Sequence, residues 1–410
     1  MISMFGLLGR KLGHSLSPQI HSHFGDYPYE LFCREPEELD DFFKDKSING
    51  FNVTIPYKVN AYGYCDELSD TAKKIGSVNT VIRRADGTLY GDNTDYFGFD
   101  FMAKSCGASF SGKKVLVLGS GGASLTVRTV AEDNGAAQIV TVSRSGEDNY
   151  DNIDRHYDAD IIVNTTPVGM FPNNGERLIE LDKFTKCGCV LDLIYNPAKT
   201  ALLLDAEELG IPCGNGLTML VAQALRSAEQ FINQKFDDKI IGEVYEKVLF
   251  GQKNIVLVGM PGCGKTTVGN LLSQKLGREI IDTDAEIVKA DGRSIPEIFS
   301  TDGEKAFREL EAKAVADAGK QLGKIIATGG GAIMREDNRR ALRQNGTVIY
   351  LKKPIDGLAL DGRPLSKNAG AVAKIYAERK DTYEAIADFS VDVSEDAKVT
   401  TERVLECISL

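Results

Sequence analysis

The chain has 410 residues, a formal net charge of −11, 42% hydrophobic and 26% charged residues, 41 glycines and 12 prolines. That length asks for two or three domains, since single cores stop growing near roughly 250 to 300 residues, and the composition excludes a disordered or collagen-like chain. The acidic balance argues against nucleic acid as a partner, no window approaches a membrane span, and the opening run MFGLLG is too short for a secretory leader, so a cytoplasmic protein without membrane or nucleic-acid partners is expected.

Strand-like and helix-like segments alternate from end to end without repeats, which gives an α/β fold class. Strands are predicted at 113–119, 138–143, 159–166, 189–195, 254–259 and 347–351, and their unbroken Val/Ile/Leu runs suggest parallel strands buried on both faces. Eight cysteines lie without CxxC pairs, and the four histidines join no carboxylate motif, so reduced thiols and no Cys/His-ligated metal are expected.

In chain order, LGRKLGHSLSPQIHSHF offers Ser15 and Ser17. On an extended segment both hydroxyls face one way, but Ser17 before Pro18 reads more readily as a helix cap and first turn. In GFNVTIPYK, Asn52 and Thr54 share one strand face, Val53 and Ile55 share the other, and Pro56 ends the ladder before Lys58. Taken alone, Lys58 reads as a solvated surface charge. In GSVNTVIRRADGTLYGDNTDYFG, a two-residue turn at Asp86-Gly87 pairs residue 79 with 94 and brings Asn79 and Asp95 to the open end of a hairpin, where Lys58 is a candidate to join them.

The run KKVLVLGSGGAS is a strand followed by Gly119, Gly121 and Gly122, a near-Rossmann phosphate turn with Ser124 at the third glycine position. The next strand ends in SRS and offers Arg144, with no acid to grip a ribose 2′-hydroxyl, which favours NADP over NAD. Residues 215–235 have helical apolar spacing, and after them FDDKIIGEVYEKVLFGQKN leaves almost no linker before the next strand.

The motifs HSLSP, GFNVTIPYK, GSVNT, GDNTDYFG, LGSGGAS, NTTPVGM, DLIYNPAKTALL and GNGLTMLVAQA together make residues 2–248 resemble shikimate dehydrogenase. The resemblance implies a two-domain half: an α/β substrate domain at 1–100 with returning helices at about 217–248, and a Rossmann NADP-binding domain at 101–216. It implies that Ser15, Ser17, Asn52, Thr54, Asn79, Asp95 and Gln223 bind substrate, with Lys58 and Asp95 as the catalytic pair. Gly119, Gly121, Gly122, Ala123, Arg144, Thr165, Met170 and Tyr195 would line the cofactor side. One departure stands out: after Arg144 come Glu147 and Asp148, which would repel a 2′-phosphate if they pointed inward.

In NIVLVGMPGCGKTTVG a strand ends at Val258, Gly259, Gly262 and Gly264 let backbone N–H groups turn inward, and a helix is expected near Lys265. This GxxxxGK[ST] loop holds nucleotide phosphates, with Cys263 and Thr267 inside it, Lys265 reaching the β/γ-phosphates and Thr266 on Mg²⁺. Then IIDTDAEIV sets Asp282 and Asp284 two apart, on one side if the segment is extended, or as a surface turn with an Asp helix cap. Arg308 and Glu311 share a helical face, Gly329 to Gly331 let backbone approach a ligand, Arg363 lies in DGRPLSK, and Arg379 sits on a predicted helix.

With GMPGCGKTT, DTD, SIPEIF, GEKAFRELE, GGGA, GRPL and ERKDTY, residues 252–410 resemble shikimate kinase, a P-loop domain with a parallel sheet. The resemblance implies that Asp284, Arg308, Gly330, Gly331 and Arg379 hold shikimate, that Asp282 and Thr266 serve Mg²⁺, and that Lys265, Asp284 and Arg363 are catalytic, Arg363 coming from a lid. The chain around Arg363 is shorter than usual in the family, so a trimmed lid is expected. The sequence thus predicts one chain with two consecutive activities, using NADP(H), ATP and Mg²⁺ on small-molecule substrates. A rival, a ligand-sensing regulator built from inactive domains, predicts missing catalytic groups, yet Lys58, Asp95, Lys265 and Asp284 are all present. Within enzymes the alternative is NAD-dependent quinate/shikimate oxidation, and Arg144 discriminates against it.

Overall fold

The computed structural model describes residues 4–13, 15–358 and 369–408. Its described strands form three sheets. The first contains β1 (Met4–Gly9), β2 (Tyr29–Cys33), β3 (Ile48–Val53), β4 (Glu67–Leu68), β5 (Thr80–Arg83) and β6 (Leu89–Asp92), in the order β2-β1-β3-β5-β6-β4. It is mixed: β1 runs parallel to β2 and β3, whereas β5 is antiparallel to β3 and β6. Its core gathers Phe32, Phe42, Phe43 and Phe51 in edge-to-face and tilted contact, the arrangement that aromatic quadrupoles favour.

The second sheet is wholly parallel: β7 (Lys114–Leu118), β8 (Gln138–Val142), β9 (Ile161–Asn164), β10 (Cys189–Asp192) and β11 (Cys213–Asn215), in the order β11-β10-β9-β7-β8. The third is parallel too: β12 (Asn254–Val258), β13 (Ile280–Asp282), β14 (Ile325–Ala327), β15 (Gly346–Lys352) and β16 (Phe389–Asp392), in the order β13-β14-β12-β15-β16. Val115 to Leu118 and Ile255 to Val258 are buried on both faces, as their unbroken apolar runs require. Each such side chain removed from water contributes roughly 1.5–3 kcal/mol. In each parallel sheet the first strand is internal, with neighbours on both sides, which creates the crevice where such sheets hold ligands.

Two local expectations are corrected. The β5–β6 turn has three residues between Arg84 and Thr88, not two, because Arg84 N bonds Thr88 O and Gly87 takes a left-handed φ of 92°. Thr80 therefore pairs with Asp92, and the register is one residue short of the predicted 79/94 pairing. Ser17 is not a cap. It opens the helix Ser17–His21 behind Leu16, while the Ser15 hydroxyl accepts from Ser17 N at 3.2 Å.

The long helix Gly216–Ile232 packs on Asp95–Ser105 and reaches β3 and β5. A Cβ on Gly98 would lie 2.7 Å from Met219 O, so the close approach of the two helices depends on that glycine. All eight cysteines are free, and burial pushes the thiols of Cys187 and Cys189 up to about 11 and about 12. Among the described residues no helix is long and apolar enough to cross a membrane.

Two compact units emerge. One comprises 1–168, 177–195 and 205–248; the other comprises Gly169–Glu176, Asn196–Leu204 and Leu249–Leu410.

Candidate active sites

In the first unit a polar network is built where β3, β5 and the helix Gly216–Ile232 meet. Asn52, at the buried end of β3, donates through Nδ2 to Ser227 Oγ at 2.7 Å and Thr80 Oγ1 at 3.1 Å, and its Oδ1 accepts from Tyr29 Oη at 2.8 Å. Asn79 Oδ1 accepts from Thr94 N at 2.7 Å, and its Nδ2 donates to Thr94 Oγ1 at 3.0 Å and Gln223 Oε1 at 3.4 Å. These side chains are buried and satisfied by one another, which fixes their rotamers before any ligand arrives.

Lys58 opens the helix Lys58–Tyr64 and Asp95 opens Asp95–Ser105; Lys58 Nζ lies 2.5 Å from Asp95 Oδ2. Lys58 is not a solvated surface charge. Asn79 and Asp95 are not directly bonded: the Asn79 side chain is taken by Thr94, which leaves Asp95 for Lys58. Thr54 follows β3 and bonds Leu8 O through its backbone N–H, so it lies beyond the strand face assigned to it with Asn52. Pattern reasoning missed Tyr29, Thr80, Thr94 and Ser227. A polar residue one turn beyond Gln223 on an otherwise apolar helix face was the signal available for Ser227.

The parallel sheet of this unit presents Gly119 just past β7 at φ 104°, where a Cβ would lie 2.8 Å from Thr165 Oγ1. Exposed Gly121 caps the helix Gly122–Asp133 without a side-chain cap bond, so the N–H groups of Gly122 and Ala123 stand at a bare helix N-terminus. That is a natural anion site. Ser124 Oγ turns back to Gly121 O. Arg144 is exposed beyond β8. Asp148 is engaged by His156 Nε2 at 2.8 Å, which answers the concern that it faces the arginine; Glu147 is exposed. Thr165 bonds Leu118 O, and Tyr195 is half-buried after β10. Met170 belongs to the second unit.

That second unit contains a cavity of about 620 Å³. Gly259, Gly262 and Gly264 have positive φ, and the helix Lys265–Leu276 begins immediately after them. Buried Lys265 donates to Gly259 O at 2.8 Å and Met260 O at 3.0 Å, so its ammonium is held over the loop. Cys263 is wholly buried under the loop, whereas Thr266 and Thr267 line the cavity. Thr266 Oγ1 donates to Asp282 Oδ2 at 2.7 Å.

The extended placement of Asp282 and Asp284 is corrected. Asp282 caps the helix Thr283–Asp291, accepting from Asp284 N and Ala285 N, and Asp284 lies in its first turn. Both carboxylates still line the cavity. A hydroxyl and a carboxylate are hard oxygen donors suited to Mg²⁺, which takes few protein ligands and keeps water and phosphate oxygens.

Arg308 Nη1 meets Glu311 Oε2 at 2.7 Å, and Nη2 meets Glu304 Oε1 at 2.9 Å. Burial raises the Glu311 carboxyl, against the pull of Arg308. Arg379, on Ala369–Ile386, is buried and donates to Gly330 O at 2.9 Å; Tyr383 Oη donates to the same oxygen. The three glycines lie close against the groups of the cavity, Gly330 against backbone and the other two against side-chain ends. A Cβ on Gly329 would lie 2.6 Å from Asp284 Oδ1, on Gly330 2.6 Å from Pro261, and on Gly331 2.5 Å from Arg308 Nη1. Tyr383 is the positioning group that motif reading passed over. Arg363 and the expected trimmed lid lie outside the described residues.

The comparisons agree with this geometry. The shikimate dehydrogenase substrate binding domain model matches residues 7–81, and the shikimate kinase model matches 261–409. The chain is 35% identical over 268 residues to the shikimate dehydrogenase (NADP(+)) of Clostridium perfringens strain SM101, covering 60% of this chain and 98% of that protein. It is similar to the crystal structure of shikimate dehydrogenase 1 from Peptoclostridium difficile (37% identity, TM-score 0.55, 60% of this chain and 97% of that one). It is also similar to a chorismate mutase/shikimate 5-dehydrogenase fusion protein from Clostridium acetobutylicum (38%, TM-score 0.58, 60% and 97%). Through its first 60% the chain belongs to the shikimate dehydrogenase family, and residues 261–409 add a shikimate kinase domain.

Proposed function

We propose that the first half reduces 3-dehydroshikimate to shikimate with NADPH and that the second half phosphorylates shikimate with ATP and Mg²⁺, so that one chain is a bifunctional enzyme of the shikimate pathway. The domains are read as 1–100 with 217–248 for substrate, 101–216 for NADP and 252–410 for the kinase. The observation that carries the reading is the Lys58–Asp95 pair, an ammonium and a carboxylate 2.5 Å apart beside a prebuilt polar network.

NADPH supplies the hydride when bound. Lys58 gives a proton to the ketone oxygen as that oxygen gains charge, and takes it back in the reverse direction; Asp95 orients the ammonium. Ser15, Ser17, Asn52, Thr54, Asn79 and Gln223 bind the carboxylate and hydroxyls of the substrate. Gly119, Gly121, Gly122, Ala123, Thr165, Met170 and Tyr195 hold the dinucleotide, and Arg144 pairs with its 2′-phosphate.

In the kinase, Arg308 and Arg379 grip the shikimate carboxylate and Asp284 accepts the proton of the attacking hydroxyl. That oxygen bonds to the γ-phosphorus as the bond to ADP breaks. Lys265 and the Gly259–Thr267 loop neutralise phosphate charge, and Thr266 and Asp282 serve the Mg²⁺. The reading extends to a cytoplasmic enzyme without nucleic-acid or membrane partners.

The test is to mix the protein with 3-dehydroshikimate, NADPH, ATP and Mg²⁺ and to follow nucleotide oxidation and shikimate 3-phosphate together, with NADH in parallel. Both signals are expected with NADPH. Nucleotide oxidation with accumulation of free shikimate would refute the kinase reading, and preference for NADH would refute the role of Arg144.

A further inference from the structure

The helix Glu336–Asn345 ends without a capping motif, since the following Gly346 is extended (φ −105°, ψ 141°) and starts β15. The last carbonyls of a helix have no partner inside it, so a buried end must find donors elsewhere. Within the second compact unit it finds them in Gly169–Glu176 and Asn196–Leu204, segments far away in sequence. Lys199 N donates to Gln344 O at 2.8 Å and Ala198 N to Asn345 Oδ1 at 2.8 Å. Asn174 Nδ2 donates to Gln344 Oε1 at 3.0 Å, and Arg340 Nη2 to Ala201 O at 3.1 Å. Gln344 and Asn345 are 6% and 2% exposed, so water competes little for these bonds. Asn345 is itself pinned through Nδ2 to Gly319 O. The two segments also bind each other, Phe171 N donating to Asn196 O at 3.0 Å, and Asn173 N closes a turn on Met170 O.

Along the chain, the first segment follows β9 and the second follows β10. Their sequence belongs to the dehydrogenase, but the groups that hold them belong to the kinase domain. We propose that Gln344 and Asn345 are positioning residues for the dehydrogenase, fixing the Met170 loop in the conformation that receives the nicotinamide nucleotide. Fixing the loop beforehand removes an ordering cost from cofactor binding. The inference rests on the cofactor reading of Met170 given above.

Gln344→Ala, Asn174→Ala and the double variant test it in the full chain. Each single variant should raise the KM for NADPH roughly threefold to tenfold, the loss expected for one hydrogen bond. The double variant should be no worse than the single ones, because both remove the same bond. The KM values for 3-dehydroshikimate and for the kinase substrates should stay at wild-type levels, and amides of 169–176 should exchange hydrogen faster. Should Gln344→Ala also weaken the kinase, Asn174→Ala, on the loop side, decides. An unchanged KM for NADPH in an active Asn174→Ala enzyme overturns the proposal, whether or not exchange changes. Absence of dehydrogenase activity in the wild type with either nucleotide would instead refute the underlying cofactor reading, and unchanged exchange at 169–176 would then still overturn the hold.

Discussion

Lys58 Nζ and Asp95 Oδ2 stand 2.5 Å apart although 37 positions separate them in the chain, because each residue opens a helix and the β3–β5–β6 ladder brings the two helix starts together. A carboxylate beside the ammonium fixes the direction of its proton. Lys58→Ala and Asp95→Asn should each lower dehydrogenase kcat by roughly 10²- to 10⁴-fold. Shikimate phosphorylation by the same variants should be unchanged, which steady-state assays of both activities will check.

Arg144 is exposed beyond β8, and Asp148 is drawn off by His156. The Arg144→Ala variant should lose NADPH affinity by roughly tenfold or more, the scale of a charge-assisted contact to phosphate, and keep its KM for NADH. Equal effects on both nucleotides would refute the 2′-phosphate assignment.

A Cβ at Gly330 would meet Pro261 Cγ at 2.6 Å and Pro261 N at 2.9 Å. The second of these is backbone of the phosphate loop and cannot swing aside. Gly330→Ala should therefore cost about 1–3 kcal/mol of kinase-domain stability, as overpacking does. It should also lower kinase kcat, measured by thermal unfolding and coupled assay.

Burial lowers the His21 imidazole from its ordinary 6.5 to about 3, partly offset by Asn52. Between those values the unfolded chain binds a proton that the fold refuses. The stability contribution is complete above pH 6.5 and is lost as pH falls toward 3, with a slope of up to about 1.4 kcal/mol per pH unit. Urea unfolding at pH 7, 5 and 4 should show a shallower loss for His21→Gln than for the wild type.

Chelation separates the two activities. Thr266 and Asp282 are hard oxygen donors in the kinase cavity. EDTA should abolish shikimate 3-phosphate formation and leave NADPH oxidation unchanged; loss of both would contradict a metal role confined to the kinase.

The sequence by itself determined the α/β class, the parallel strands, the phosphate loop and the dehydrogenase motifs, because apolar periodicity and glycine spacing are local properties of the chain. It also separated Arg308, Glu311 and Arg379 from the charged background, since helical spacing and motif neighbours suffice for that. It misplaced Ser17 and the β5–β6 register by about one residue each, the scale at which a cap or a three-residue turn competes with a regular pattern, and it left open whether Asp284 stands on an extended segment or behind an Asp helix cap. Tertiary structure set the Lys58–Asp95 distance, and it alone decided that Ser227 and Tyr29 complete the network around Asn52 and that Asp148 turns to His156. It alone set Gln344 against Asn174, 170 positions away. Contacts of that kind join groups with no regular spacing, and they follow from which buried polar atoms must satisfy one another once the sheets have formed.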